Sequence, residues 1–216
     1  MKMTQVKLKG VERKADLKPN AVRLQGDGVK RLLIVVDYQN DFVDGALGFE
    51  GAELLDDRIV DKIEAYRAAN DLVAYTLDTH HKDYLQTQEG QKLPIPHCIE
   101  GTEGYELYGA VALTPVDADE IFMKPTFGSA ELFERLHKAQ EIAEGLGVEP
   151  FESIELVGLV SNICVLSNAV LARTACPNVP VIVDAWCTAC ADPVMNEKAL
   201  DVLEGIQVTV INRDRL

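Results

Sequence analysis

The stretch "LVGLVSNICVLSNAV", Leu156 to Val170, decides the fold, because it runs from a strand into a helix with a single cysteine at the junction. With Ile154 and Glu155 ahead of it, "IELVGLV" is a short apolar, β-branched run. Such a run marks a buried strand of a parallel sheet better than it marks an amphipathic helix. From Cys164 onward Val165, Leu166, Ala169, Val170 and Ala172 recur at helical spacing. The thiol is therefore expected in the first turn of a helix that starts where the strand stops, with Ser161 or Asn162 as its cap. Unpaired N–H groups and the positive end of the helix dipole would there favour a thiolate, whose ordinary pKa is about 8.5. A lone cysteine is more often a small buried hydrophobe. The reading thus turns on whether partners for a nucleophile stand elsewhere in the chain.

Outward from that junction the strand-then-helix rhythm repeats. In chain order the sequence predicts a strand at "RLLIVVD" (31–37), a helix over about Leu54 to Asn70, a strand at "DLVAYTLD" (71–78), a long polar loop to about Gly109, and a strand at "EIFMK" (120–124). A helix over about Ala130 to Leu146, the strand "SIELVGLV" (153–160) and the helix after Cys164 follow. The strand "VPVIVDA" (179–185), a helix over about Pro193 to Glu204 and the strand "QVTVIN" (207–212) complete the pattern. Six strands with interposed helices predict an α/β protein, a three-layer α/β/α fold with a mainly parallel six-stranded sheet. Residues 1–30 are polar, Lys-rich and non-periodic, and read as an arm that packs on the surface or on a partner subunit. Residues 31–216 read as one domain, since 216 residues suffice for one sizeable core and are short for two.

Charge and cysteine usage exclude several functions. A net charge of −14 would repel phosphate backbones and anionic lipid, so neither nucleic acid nor a membrane surface is an expected partner. No secretory signal and no run of membrane-spanning length is visible, which predicts a cytoplasmic protein. Five cysteines in such a chain argue for thiols rather than a disulfide framework. Cys187 and Cys190 in "CTAC" lack a second pair at zinc-ribbon spacing and read as structural.

Ligand sites of open parallel sheets lie outside the carboxyl ends of the strands. Three polar residues end strands there: Asp37 closes "LLIVVD", Asp78 closes "LVAYTLD" and Lys124 closes "EIFMK", while Cys164 follows its own strand by a short turn. A carboxyl at the edge of the core is raised by burial and lowered by a nearby cation, so Asp37 can be tuned to take a thiol proton and Lys124 can hold it in place. Singly, Asp37 reads equally well as a turn former and Lys124 as a solvated strand end. Their coincidence on one rim favours chemistry.

The segments "DYQNDF" (37–42), "MKPTFGS" (123–129) and "GLVSNICV" (158–165), in that order and spacing, resemble the three catalytic segments of the isochorismatase-like cysteine hydrolase superfamily. The resemblance spans essentially everything from Arg31 to the C-terminus. It implies Cys164 as nucleophile, Asp37 as general base and Lys124 as third member of a triad. It also implies a cis peptide at Leu159-Val160 and an oxyanion hole built from the backbone N–H groups of Val160 and Cys164. Members of isochorismatase type lack the cysteine, so Cys164 points to C–N hydrolysis through an acyl-thioester.

The long loop carries a second constellation. "DTH" sets Asp78 and His80 two residues apart and "PIPHCIEGTEG" adds His97, a set that resembles the metal site of the nicotinamidases in this superfamily. A carboxylate and two imidazoles suit zinc, with iron or manganese compatible, and Glu89 is a further candidate ligand. In that family the metal orients the pyridine ring of the substrate. His81, beside His80, is expected to face solvent. Phe42 and Phe127 are the candidate pocket walls, and Trp186 fits either the pocket or the core. Pro94 replaces a tryptophan usual in nicotinamidases, and Asn162 stands where many members have Asp.

The resulting expectation is a homo-oligomeric, metal-containing amidohydrolase acting on a small amide, nicotinamide or a related pyridine carboxamide. One alternative is a metal-free amidase for carbamoyl or ureido compounds in the same superfamily, and another is a non-catalytic binding protein on the hydrolase fold.

Overall fold

The computed structural model describes residues 29–215. The expected arm, residues 1–30, lies outside them except for Val29 and Lys30. Six strands, β1 (Leu32–Val36), β2 (Leu72–Asp78), β3 (Glu120–Lys124), β4 (Ile154–Leu159), β5 (Val181–Ala189) and β6 (Thr209–Ile211), form one sheet in the order β3-β2-β1-β4-β5-β6. Every pairing is parallel.

The apolar run of β1 explains the layering. All five of its residues are buried, because a central strand of a parallel sheet is covered on both faces. The helices are α1 (Asn40–Val43), α2 (Asp56–Ala68), α3 (Gln88–Lys92), α4 (Ala130–Leu146), α5 (Leu166–Ala175) and α6 (Pro193–Gly205). Leu32, Ile34 and Val36 join the core that α4, α5 and α6 cover with Leu132, Leu136, Ala169, Ala172 and Leu203. Leu33 and Val35 join the opposite core with Ile59, Ile63 and Tyr66 of α2 and Phe42 of α1. The three-layer fold expected from the rhythm is the one observed. The largest boundary shift is at β5, which starts at Val181 and continues to Ala189, past the predicted "VPVIVDA", with a register shift opposite β4 between Leu156 and Gly158, while the predicted "QVTVIN" shortens to Thr209–Ile211. "WCTA" carries no alternation, and its pairing with β4 supplies the strand. Gly158 lies at φ 106°, and a Cβ there would fall 2.0 Å from the Val36 carbonyl oxygen, so the approach of β4 to β1 requires glycine.

Two features place the site. Sheet order reverses between β1 and β4, which opens a crevice at the carboxyl ends of these two strands. The register of β2 on β3 pairs Asp78 with Lys124, bringing their side chains to the same rim. The loop after β2 is ordered into a 3-10 turn at Tyr84–Gln86, helix α3 and a second 3-10 turn at Glu103–Tyr105. Isolated bridges pair His80 with Ile99 and Gln39 with Leu107, folding this loop back over the carboxyl end of β1.

Candidate active site

β1 runs out of regular structure at Asp37, which lies at φ 46°, a left-handed conformation that non-glycine residues seldom adopt. Its N–H donates to Thr76 O at 3.1 Å and its own carbonyl accepts from Gln39 N at 2.8 Å, which holds the turn. The Asp37 side chain is fully buried. Thr76 Oγ1 donates to Oδ1 at 2.7 Å. Oδ2 stands 2.7 Å from Lys124 Nζ as an ion pair, off the hydrogen-bond direction, and accepts no hydrogen bond among the described residues. That oxygen has a lone pair to offer.

Lys124, 1% exposed, is a buried cation rather than a solvated strand end. Its Nζ donates to Thr126 O at 3.0 Å, Asp78 Oδ1 at 3.1 Å and Cys164 Sγ at 3.5 Å. One ammonium therefore touches both carboxylates and the sulfur. Burial opposes its charge, but Asp37, Cys164 and Asp78 more than offset that and raise its pKa.

Cys164 stands in a π-helical turn, Ser161–Val165, between β4 and α5, after the Leu159–Val160 peptide, which is cis. Neither Ser161 nor Asn162 caps this turn. Ser161 instead donates from Oγ to Asn196 Oδ1 on α6 at 2.5 Å, a tertiary partner that outcompetes the local one. Asn168, buried in α5, was not singled out by sequence. It donates to Cys164 O at 2.8 Å and accepts from Ser129 N at 3.0 Å, tying the cysteine turn to the segment that follows Lys124.

These surroundings work against the resting thiolate that a helix start favours. Burial pushes the Cys164 thiol well above its ordinary value, Asp37 adds to the rise, and Lys124 only partly opposes it. Burial likewise raises the Asp37 carboxyl against the pull of Lys124. A buried thiol beside a carboxylate of raised basicity is arranged for proton transfer during reaction rather than before it.

Asp78, His80 and His97 offer ligand atoms that all lie within 4.8 Å of one another, and all three residues are buried. Asp78 Oδ2 is 3.1 Å from His80 Nε2 and 3.3 Å from His97 Nε2. Burial tends to raise the Asp78 carboxyl, and the two imidazoles with Lys124 overcome this and hold it below the usual carboxylate range. His97 Nδ1 is 2.8 Å from Ile95 O, and donating its proton there leaves Nε2 as a lone pair facing Asp78. His80 Nε2 is buried and makes no hydrogen bond among the described residues. An orphaned buried imidazole nitrogen that converges on a carboxylate and a second imidazole fits a divalent ion. Glu89 Oε1 stands 3.7 Å from His80 Nε2 and 3.8 Å from His97 Nε2, within reach of the same point.

A cavity of about 400 Å³ opens over both groups. Cys164, Val160, Asp78, His97, Glu89, Phe42 and Phe127 line it, so the structure brings these sequence candidates to one space. Leu47, Phe49, Leu93, Ile163 and Met195 add apolar wall that no local pattern marks, because they come from separate segments. Cys187 is buried in the core, and Cys190, whose thiol donates to Asp192 O at 3.2 Å, also lines the cavity. Trp186 takes the core side and stacks under the Arg58 guanidinium at 3.5 Å. His81 is exposed, as expected, 3.6 Å from Glu100.

Comparison with known proteins follows the same line. The model of the isochorismatase domain family matches residues 31–215. The chain is 32% identical over 155 residues to an uncharacterized isochorismatase family protein, PncA, of Bacillus subtilis, covering 66% of this chain and 78% of that one. It is 28% identical over 176 residues to a nicotinamidase of Acinetobacter baylyi, covering 71% of this chain and 79% of the other. A crystal structure of nicotinamidase/pyrazinamidase PncA from Bacillus subtilis superposes with a TM-score of 0.71 at 28% identity, covering 84% of this chain and 98% of that chain.

Proposed function

We propose that this chain, which belongs to the isochorismatase domain family, is an amidohydrolase with a Cys-Asp-Lys triad and that its substrate is nicotinamide or a related pyridine carboxamide. One observation carries this reading: Lys124 Nζ touches Asp37, Asp78 and Cys164 together, so the nucleophile set and the metal-ligand set meet at one cation under one cavity. The nicotinamidase names carried by relatives at 28% identity support the substrate class.

The residues divide the chemistry as follows. Asp37 Oδ2 takes the Cys164 proton as sulfur attacks the amide carbonyl carbon. The backbone N–H groups of Val160 and Cys164 hold the oxyanion. Asp37 returns the proton to nitrogen, the C–N bond breaks, and ammonia leaves an acyl-thioester. A water then gives its proton to Asp37 and attacks the thioester, releasing the acid and the thiol. Lys124 keeps the carboxylate oriented and offsets its charge. Asp78, His80 and His97, with Glu89 as fourth donor, would hold a divalent ion, most simply zinc, which when bound supplies a Lewis-acid contact for the pyridine nitrogen. Phe42 and Phe127 flank the ring. The free thiols fit a reducing, cytoplasmic setting.

Metal analysis and kinetics test the reading together. Purified protein should carry one divalent ion per chain, and His80→Ala should lose it. That variant should lower kcat/KM for a pyridine carboxamide by about 100-fold, through KM as well as kcat, because ring placement is lost. An acyclic amide should be affected much less. Protein that binds no zinc, iron or manganese, together with equal effects on both amides, would replace this reading by the metal-free amidase.

A further inference from the structure

The segment that bears the proposed base also reaches the loop that bears the metal ligands. Gln39, two residues past Asp37 and fully buried, pairs with the backbone of Asp78 in both directions. Its Oε1 accepts from Asp78 N at 2.8 Å and its Nε2 donates to Asp78 O at 2.9 Å. The same Nε2 donates to Tyr105 O at 2.8 Å, at the far end of the loop. Asp41, two residues further on, accepts from Cys98 N at 2.7 Å through Oδ2 and from Ala46 N at 3.1 Å through Oδ1. Cys98 follows His97 directly and lies at φ 45°, a conformation that needs outside support. The slot for the Asp41 carboxylate is built into the chain: a Cβ at Gly104 would fall 2.1 Å from Oδ2 and one at Gly45 would fall 2.5 Å from Oδ1.

From this geometry we infer that Gln39 and Asp41 are positioning residues for the metal site, Gln39 by clamping the backbone of Asp78 and Asp41 by clamping the Cys98 amide beside His97. The inference rests on the metal reading proposed above and extends it to residues that touch neither substrate nor ion. Its physical basis is that a ligand set binds tightly when its backbone is preorganised, so that the ion does not have to order the loop that holds it. The arrangement also ties the base to the ligands, since a single short segment places Asp37, the Asp78 strand end and the His97 turn.

Zinc affinity of the full chain, measured by competition with a chromogenic chelator, separates positioning from simple support. Gln39→Met keeps the volume and removes all three hydrogen bonds, and Asp41→Asn keeps the shape and removes the charge that Cys98 N donates to. Each should weaken zinc binding by about 10- to 100-fold. Unfolding in chelator reports the metal-free stability of each variant. Asp71→Asn is the structural control: Asp71 accepts from Arg31 N at 2.9 Å and from Arg31 Nε at 2.8 Å, remote from the ligands, and its loss should lower stability while leaving zinc affinity unchanged. Zinc bound by the parent protein and equally well by Gln39→Met and Asp41→Asn would overturn the inference alone. So would zinc affinity that falls in Asp71→Asn in proportion to stability. No zinc bound by the parent protein would overturn the metal reading, and the inference with it.

Discussion

Replacing Cys164 with alanine should abolish ammonia release from every amide the protein hydrolyses, a loss on the order of 10⁶-fold in kcat, because Cys164 is the cavity thiol set beside Lys124 and Asp37. The fold should survive. Cys164 packs against the α4–α5–α6 core, but the change removes only one sulfur atom from a residue that also borders the cavity, so a stability cost of about 1 kcal/mol is expected. Steady-state ammonia assays, with denaturant unfolding of the same preparation, check both halves. Substantial turnover by the alanine variant would remove Cys164 from the mechanism. Burial and Asp37 push the Cys164 thiol up, which favours its keeping the proton until Asp37 takes it. Asp37→Asn should therefore also fail to acylate, since an amide cannot accept the proton.

Lys124→Met should have the largest effect on stability. The variant leaves the fully buried Asp37 carboxylate without its cation and takes one of the partners of Asp78. Breaking a buried ion pair from one side costs about 3–5 kcal/mol, far more than the pair itself contributes. The pH dependence has a definite sign. Burial already raises the Asp37 carboxyl, and it rises further once the ammonium is gone. An acid whose folded pKa lies above its unfolded value of about 3.9 favours folding in the protonated form, and that contribution is lost as pH climbs through the folded pKa. The deficit of Lys124→Met against the parent protein should thus be small in acid and grow towards neutral pH. Adding Asp37→Asn should recover part of it, because the uncompensated charge is then absent. Chemical unfolding of the parent, both single variants and the double variant across this pH range makes the cycle. A deficit independent of pH, or no recovery in the double variant, would show that Lys124 is not balancing Asp37.

Periodicity and turn chemistry determined the existence and order of the six strands, the four long helices and the end of the sheet at which the polar residues collect, but not the extension of β5 or the short helices α1 and α3. A run such as "LLIVV" has no stable place except a strand covered on both faces, and a polar residue that ends it must sit at the rim. Asp37, Asp78, Lys124 and Cys164 were legible for that reason, as were His80 and His97, because residue type and position along a strand or loop are local facts. Only the tertiary structure decided what these groups experience. Sheet order brought Asp37 and Cys164 to the crevice between β1 and β4, although their segments lie far apart in the chain. The thiolate that a helix start favours is opposed by burial and by Asp37, because desolvation depends on everything packed around the sulfur. Ser161 left its predicted cap for Asn196, and Asn168, through Ser129, and Gln39 and Asp41 gained their roles from partners remote in sequence. Hydrogen bonds across such separations leave no periodic trace, since each depends on two segments whose spacing the fold alone sets.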